Sequence, residues 1–184
     1  MRKSRSVTSI ILVLGLFMMP TGISTAEEPR YGLGKPATEA DITAWDIDIA
    51  PNGVGLPHGR GTVQQGATLY AAKCAACHGP TGTEGPNDRL VGGQGSLATE
   101  HPIKTIGSYW PYATTLYDYI FRAMPFIAPQ SLTPDEVYSL VAWLLHQNGI
   151  IEKDAVVDAR TLPTIRMPNR DGFISDLRPD GPGR

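Results

Sequence analysis

An all-α fold with long irregular extensions at both ends is what this 184-residue sequence predicts. Three observations predict it. Residues 62–76 and 133–148 combine helical periodicity with capping residues at their starts, and residues 111–123 begin on a proline and repeat apolar side chains at helical spacing. Most of the 20 glycines and 16 prolines fall outside these segments, where they favour turns. The third observation is Cys74-Ala75-Ala76-Cys77-His78. At this spacing two thiols add to the vinyl groups of one haem, and the next residue stands under the iron. A haem is a large apolar object, so it supplies core that a chain this rich in turns need not build itself.

The elements follow in chain order. Arg2, Lys3 and Arg5 precede an apolar stretch over residues 10–19, and Ser24-Thr25-Ala26 ends it with small residues. Residues 1–26 thus read as a secretory signal peptide cleaved after Ala26. The apolar stretch is too short to span a bilayer and no stop-transfer pattern follows. The expectation is a periplasmic protein with no membrane span after cleavage. The whole chain has 16 Lys+Arg and 18 Asp+Glu; the leader takes three basic residues and no acid with it, leaving 13 against 18, a formal −5. That balance excludes nucleic-acid binding, which needs a basic surface, and suits a partner with a basic docking face.

Residues 27–61 form a polar, Gly/Pro-rich extension in which Trp45, Ile47 and Ile49 alternate with Asp46 and Asp48, an extended pattern able to dock. Thr62 caps the first helix, and Gly66, four residues before Tyr70, leaves a flat spot where another helix can approach. Residues 79–95 are a glycine-rich loop containing Gly85-Pro86 and Leu90. In 111–123, Leu116, Tyr119, Ile120 and Ala123 share one face, and Met124-Pro125 stops the helix. In 133–148, Thr133-Pro134-Asp135-Glu136 is a capping box with proline at N1. Val137, Leu140, Val141, Leu144 and Leu145 make its stripe, and Gly149 ends it. Residues 150–184 read as an irregular C-terminal extension, so the helical domain is expected over 62–149.

A Cys-x-x-Cys pair also occurs in zinc sites and in thioredoxin-like redox centres. Zinc takes about four ligands, whereas the chain has 2 cysteines and its other histidines, His58, His101 and His146, are scattered. A redox pair opens a helix after a buried strand, and this one closes a helical run. With His78 as one axial ligand, Met124 is the expected second. Its thioether is soft and neutral and holds Fe(II) well, raising the potential. Met167, His101 and His146 remain alternatives.

In this order, Cys74 to His78, Gly85-Pro86, Met124-Pro125 and the capped final helix resemble a class I cytochrome c. The resemblance implies that the first and last helices cross at right angles through Gly66 and Tyr70 on one and Leu140 and Trp143 on the other. It implies that the Pro86 carbonyl accepts a hydrogen bond from the proximal His78, that Leu90 touches the haem, and that Trp110 bonds a propionate. More narrowly, residues 90–97, 105–115, 122–126 and 167–173 resemble the SoxD-type cytochrome subunit of sulfane (sulfite) dehydrogenases. That subunit pairs with a molybdopterin SoxC-like subunit in thiosulfate oxidation. The resemblance therefore implies one haem c, electrons accepted from the molybdenum subunit and passed to a downstream cytochrome c, no bond-making chemistry on a substrate, and docking roles for residues 45–49 and 167–173. Alternatives are a free-standing soluble carrier, the cytochrome subunit of a different dehydrogenase, and a haem enzyme or gas sensor with an open iron.

Overall fold

The computed structural model describes residues 33–174; the leader expected over residues 1–26 lies outside them. Of two compact units, Met1–Ala37 and Thr38–Arg184, the second carries every element. Its helices are α1 (Glu39–Trp45), α2 (Val63–Lys73), α3 (Ala75–His78), α4 (Ala113–Ala123) and α5 (Pro134–Gln147). A short strand, β1 (Arg60–Thr62), leads into α2; β2 (Val156–Asp158) and a 3₁₀ turn at Leu162–Thr164 follow α5.

The last helix is the axis of the domain. Glu136 donates its amide to Thr133 Oγ1 (3.4 Å) and accepts the Thr133 amide on Oε2 (2.8 Å), completing the expected box. The sequence marks one apolar stripe, but every residue from 137 to 145 is buried. A helix covered on all sides is a core helix. Ser139 is the polar member of the run, and its hydroxyl donates to the Asp135 carbonyl at 2.7 Å. Gly149, at φ +68°, ends the helix as expected.

Thr62 caps α2 through a matching box with Gln65. Gly66 then faces the backbone of α5. A Cβ there would overlap the Ser139 carbonyl oxygen and stand 2.7 Å from both the Ser139 carbonyl carbon and Trp143 Cβ. One turn on, Tyr70 stacks on Trp143 with ring centroids 3.8 Å apart. The helix expected as one piece over 62–76 breaks at Cys74 (φ −122°, ψ −36°) into α2 and the one-turn α3.

α4 buries Ala113, Leu116, Tyr117 and Ile120. Tyr119, expected on that face, is 47% exposed, because the buried side runs through 113, 116, 117 and 120. Its ring meets Trp110 edge-on at 5.7 Å instead.

Both flanks differ from expectation. Thr38-x-x-Asp41 is a capping box that opens α1, a helix not expected from the sequence; it ends at Trp45, where the alternating run to Ile49 begins. Trp45 is 86% exposed, whereas Ile49 is buried and its amide donates to Asp118 Oδ1 at 3.0 Å. The C-terminal extension is not slack. β2 pairs antiparallel with β1, Gly61 opposite Val157. Val157, Leu162 and Met167 lie in the core. Beyond them the Asn169 amide donates to the Tyr109 carbonyl (2.8 Å), Arg170 covers the Tyr112 ring (4.0 Å), and Phe173 meets Tyr109 edge-on. Residues 167–173 therefore fold back onto their own domain through Met167, Asn169 and Arg170, while Phe173 stays 49% exposed. Burying an aliphatic or thioether side chain contributes about 1.5–3 kcal/mol, so Val157, Leu162 and Met167 fasten the tail firmly.

Candidate functional site

The Cys-x-x-Cys-His motif is displayed on α3. The Cys77 and His78 amides donate to the Cys74 carbonyl at 3.1 and 3.0 Å, making a single tight turn. The following loop clamps that turn. The Tyr70 hydroxyl donates to the Gly79 carbonyl (2.9 Å), and the Asn87 amide donates to the Cys77 carbonyl (2.9 Å). Gly85 lies so close to the backbone of Cys77, His78 and Gly79 that a Cβ would overlap all three. Burial pushes the Cys74 thiol up to about 11. A nucleophilic or redox-active thiol needs the opposite shift. The zinc alternative finds no cluster of three or more His, Cys, Asp or Glu among the described residues.

His78 is half-buried, and its Nδ1 lies 2.9 Å from the Asp88 carbonyl. A carbonyl can only accept, so Nδ1 carries the proton and Nε2 keeps its lone pair for a metal. This corrects the expectation for Pro86, which is exposed and is not the acceptor. The loop carries two further residues before the carbonyl that reaches the imidazole, a length that the Gly85-Pro86 pair disguises. Leu90, two residues past Asp88, is half-buried. Its amide donates to the Gly82 carbonyl (2.8 Å), and its carbonyl accepts from the Ile106 amide (3.3 Å) and Asn148 Nδ2 (3.2 Å). Asn148 also accepts the Gly92 amide on Oδ1 (3.0 Å) and donates to the Leu144 carbonyl (2.9 Å). The C-terminal end of α5 thus anchors the loop that orients His78. In the sequence Asn148 is only the residue before Gly149, and nothing marks this role.

Met124 follows α4, its amide donating to the Ile120 carbonyl (3.1 Å), with a cis peptide to Pro125. Of its rivals, Met167 is 1% exposed and committed to the core. His146 lies in α5 with Nδ1 3.0 Å from the Ile151 carbonyl, and His101 is exposed in a loop. Leu69, Cys74, Leu90, Trp110, Phe121 and Met124 are each half-buried, packed on the core by one side and open on the other. The structure therefore brings Cys74, Leu90, Trp110 and Met124 onto one core and leaves Pro86 outside.

Glu84 makes the loop beside α3 sensitive to acid. It accepts from the Thr81 and Thr83 hydroxyls at 2.6 and 2.5 Å and from both their amides, which lowers its carboxyl from 4.5 to about 2. Because the folded value lies below the unfolded one, Glu84 adds stability above about 4.5 and loses it as the pH falls toward about 2. Glu84→Gln is expected to melt below the parent at about pH 6, with the gap closing at about pH 2. A gap independent of pH in thermal melts would show that the loop does not depend on the charge.

Comparison with known proteins agrees with this geometry. Residues 61–144 match the family described as Cytochrome C oxidase, cbb3-type, subunit III. The chain is also similar to a chain of the crystal structure of the sulfane dehydrogenase SoxCD from Paracoccus pantotrophus. Identity is 44% and the TM-score 0.73, over 81% of this chain and 74% of that one. A comparison with curated proteins found no match. The chain belongs to the class I c-type cytochromes. Within them it is SoxD-like, resembling the cytochrome subunit of sulfane dehydrogenases.

A cytochrome c domain implies a haem, and the residues present fit one. The imidazole keeps Nε2 free of any protein partner, and the two thiols share one turn with it. No helix among the described residues is long and apolar enough to cross a membrane.

Proposed function

We propose that this chain is a periplasmic monohaem cytochrome acting as the haem subunit of a molybdenum sulfane or sulfite dehydrogenase in thiosulfate oxidation. It accepts electrons from the molybdopterin subunit and passes them to a downstream cytochrome c. The observation that carries the site is the Asp88 carbonyl on His78 Nδ1; the similarity to SoxCD carries the partner. In this reading Cys74 and Cys77 would hold the haem through thioethers, and His78 and Met124 would bind its iron. Leu90 and Trp110 would line the ring, residues 1–26 are removed on export, and residues 62–149 form the haem-binding domain.

The bound haem supplies reversible one-electron exchange between Fe(III) and Fe(II). Everything else falls to the side chains. His78 is fixed in tautomer and orientation by Asp88, and hence in donor strength. Met124 would supply a neutral thioether to the iron, which would favour the reduced metal and leave no site for a substrate. Leu69, Leu90, Phe121 and Trp110 exclude water, which keeps the local dielectric low. The chain thus conducts electrons without making or breaking substrate bonds.

Purification from the native periplasm tests this. Haem, molybdenum and sulfite-dependent cytochrome reduction are expected in one fraction, and the colour should survive acid–acetone extraction. Haem eluting alone, with no molybdenum, would leave a free-standing carrier.

A further inference from the structure

Helix α1 is complete locally and unsupported globally. Its capping box is fully made, Asp41 donating its amide to Thr38 Oγ1 (3.2 Å) and accepting the Thr38 amide on Oδ2 (3.0 Å). Yet none of its 7 residues is buried, and Ile42 and Trp45 are 48% and 86% exposed. An isolated helix shorter than about 12–15 residues is marginal in water, and a cap adds only about 1 kcal/mol. This helix needs an apolar surface to lie on, and the described residues of its own chain do not supply one. Ile42 and Trp45, three residues apart, share a helix face.

The place where α1 is held is fixed. The segment after it ends at buried Ile49, whose amide binds Asp118 Oδ1, and Asp118 also takes the Arg122 guanidinium. Asp118 is the middle residue of α4, which leads on through Arg122 to Met124. Directly after Met124, Phe126 and Ile127 are 82% and 93% exposed. Two exposed apolar groups therefore flank α4, α1 tethered to its middle and residues 126 and 127 following its end. The α1 face is also acidic. Residues 36–57 contain Glu39, Asp41, Asp46 and Asp48 and no Lys, Arg or His.

We propose that α1 is the docking helix for the dehydrogenase subunit, with Trp45 and Ile42 entering an apolar slot rimmed by Lys and Arg that meet Glu39, Asp46 and Asp48. This rests on the proposed function and adds which surface makes the contact. Charge selects the occupant. A second copy would set acids against acids, whereas a basic rim pairs with them and steers encounter. The chain's own 167–173 segment is already engaged on Tyr109 and Tyr112. A buried Trp inside a polar rim is the usual anchor of a protein interface. The similar solved chain comes from a dehydrogenase, SoxCD. Docking through α1 sets the partner beside α4, the helix whose C-terminal end leads into Met124.

The test uses the mature haem-bearing chain, Trp45→Ala and Ile42→Ser variants, and the molybdenum subunit purified from the same periplasm. Trp45→Ala is expected to weaken binding at least about 30-fold by calorimetry while leaving melting temperature and haem spectrum unchanged. Salt should weaken the unaltered complex. Amides of α1 should exchange freely in the lone chain and slow in the complex. Equal affinity of the variants overturns the docking helix and leaves the proposed function standing. If the unaltered chain does not bind the subunit at all, both fall. Protection of α1 in the lone chain, or a dimer abolished by Trp45→Ala, assigns the face to this chain or to a second copy and overturns the proposal.

Discussion

Gly66→Ala is expected to destabilise the domain by about 3 kcal/mol, although alanine is the better helix former. Propensity alone predicts the opposite sign, a gain of about 1 kcal/mol. Packing decides against it, because the added methyl meets backbone. It would overlap the Ser139 carbonyl oxygen and approach the Ser139 carbonyl carbon and Trp143 Cβ to 2.7 Å. Those atoms belong to a helix buried on every side, so it cannot back away without disturbing the core. The Tyr70–Trp143 stack is set by the same crossing and opens with it. Denaturant melts of the parent and variant measure the cost. Ala67→Gly is the control: position 67 is exposed, and its loss should be about 1 kcal/mol from propensity alone. A Gly66→Ala protein more stable than the parent would mean that α2 and α5 do not meet this closely.

Met124→Ala is expected to lower the reduction potential by a substantial part of the roughly 0.8 V that axial ligation commands. It should also abolish the weak far-red charge-transfer band of the oxidised protein and open the metal to added imidazole. The sign follows from ligand chemistry. A neutral thioether favours Fe(II), and its removal leaves water or nothing in its place. Met167→Ala separates ligation from packing. Met167 is 1% exposed, so its truncation should cost about 2–5 kcal/mol of stability and leave band and potential in place. If Met167→Ala removes the band and Met124→Ala does not, the axial assignment moves to the tail. If the unaltered protein shows no such band at all, a histidine holds the second position.

How far the sequence could be read depended on how local each interaction is. Thr62, Thr133-Pro134-Asp135-Glu136, Gly149 and the Gly66/Tyr70 pair were legible because caps and close crossings need particular residue types at fixed spacing. The Cys-x-x-Cys-His run was legible for the same reason. The acceptor for His78 was misplaced by two residues because a backbone carbonyl carries no side-chain signature; Asp88 serves through its carbonyl, which any residue has. Asn148 escaped notice because its partners Leu90 and Gly92 lie more than fifty residues away in sequence. The tail reads as irregular in sequence because its strand is three residues long and makes sense only beside Arg60–Thr62. α1 has little sequence signal beyond its capping box, because seven residues are too few for an apolar stripe to repeat.

The pairing of β1 with β2 has one more outcome. The chain enters α2 through β1 and, a loop after α5, passes back through β2 at the same place, Arg60 beside Asp158 and Thr62 beside Val156. Ile49 is buried ahead of this seam, and Leu162 and Met167 are buried beyond it. A truncation made at the seam would therefore strip covered apolar surface from both ends, so the shortest self-sufficient piece of this polypeptide is longer than its helices.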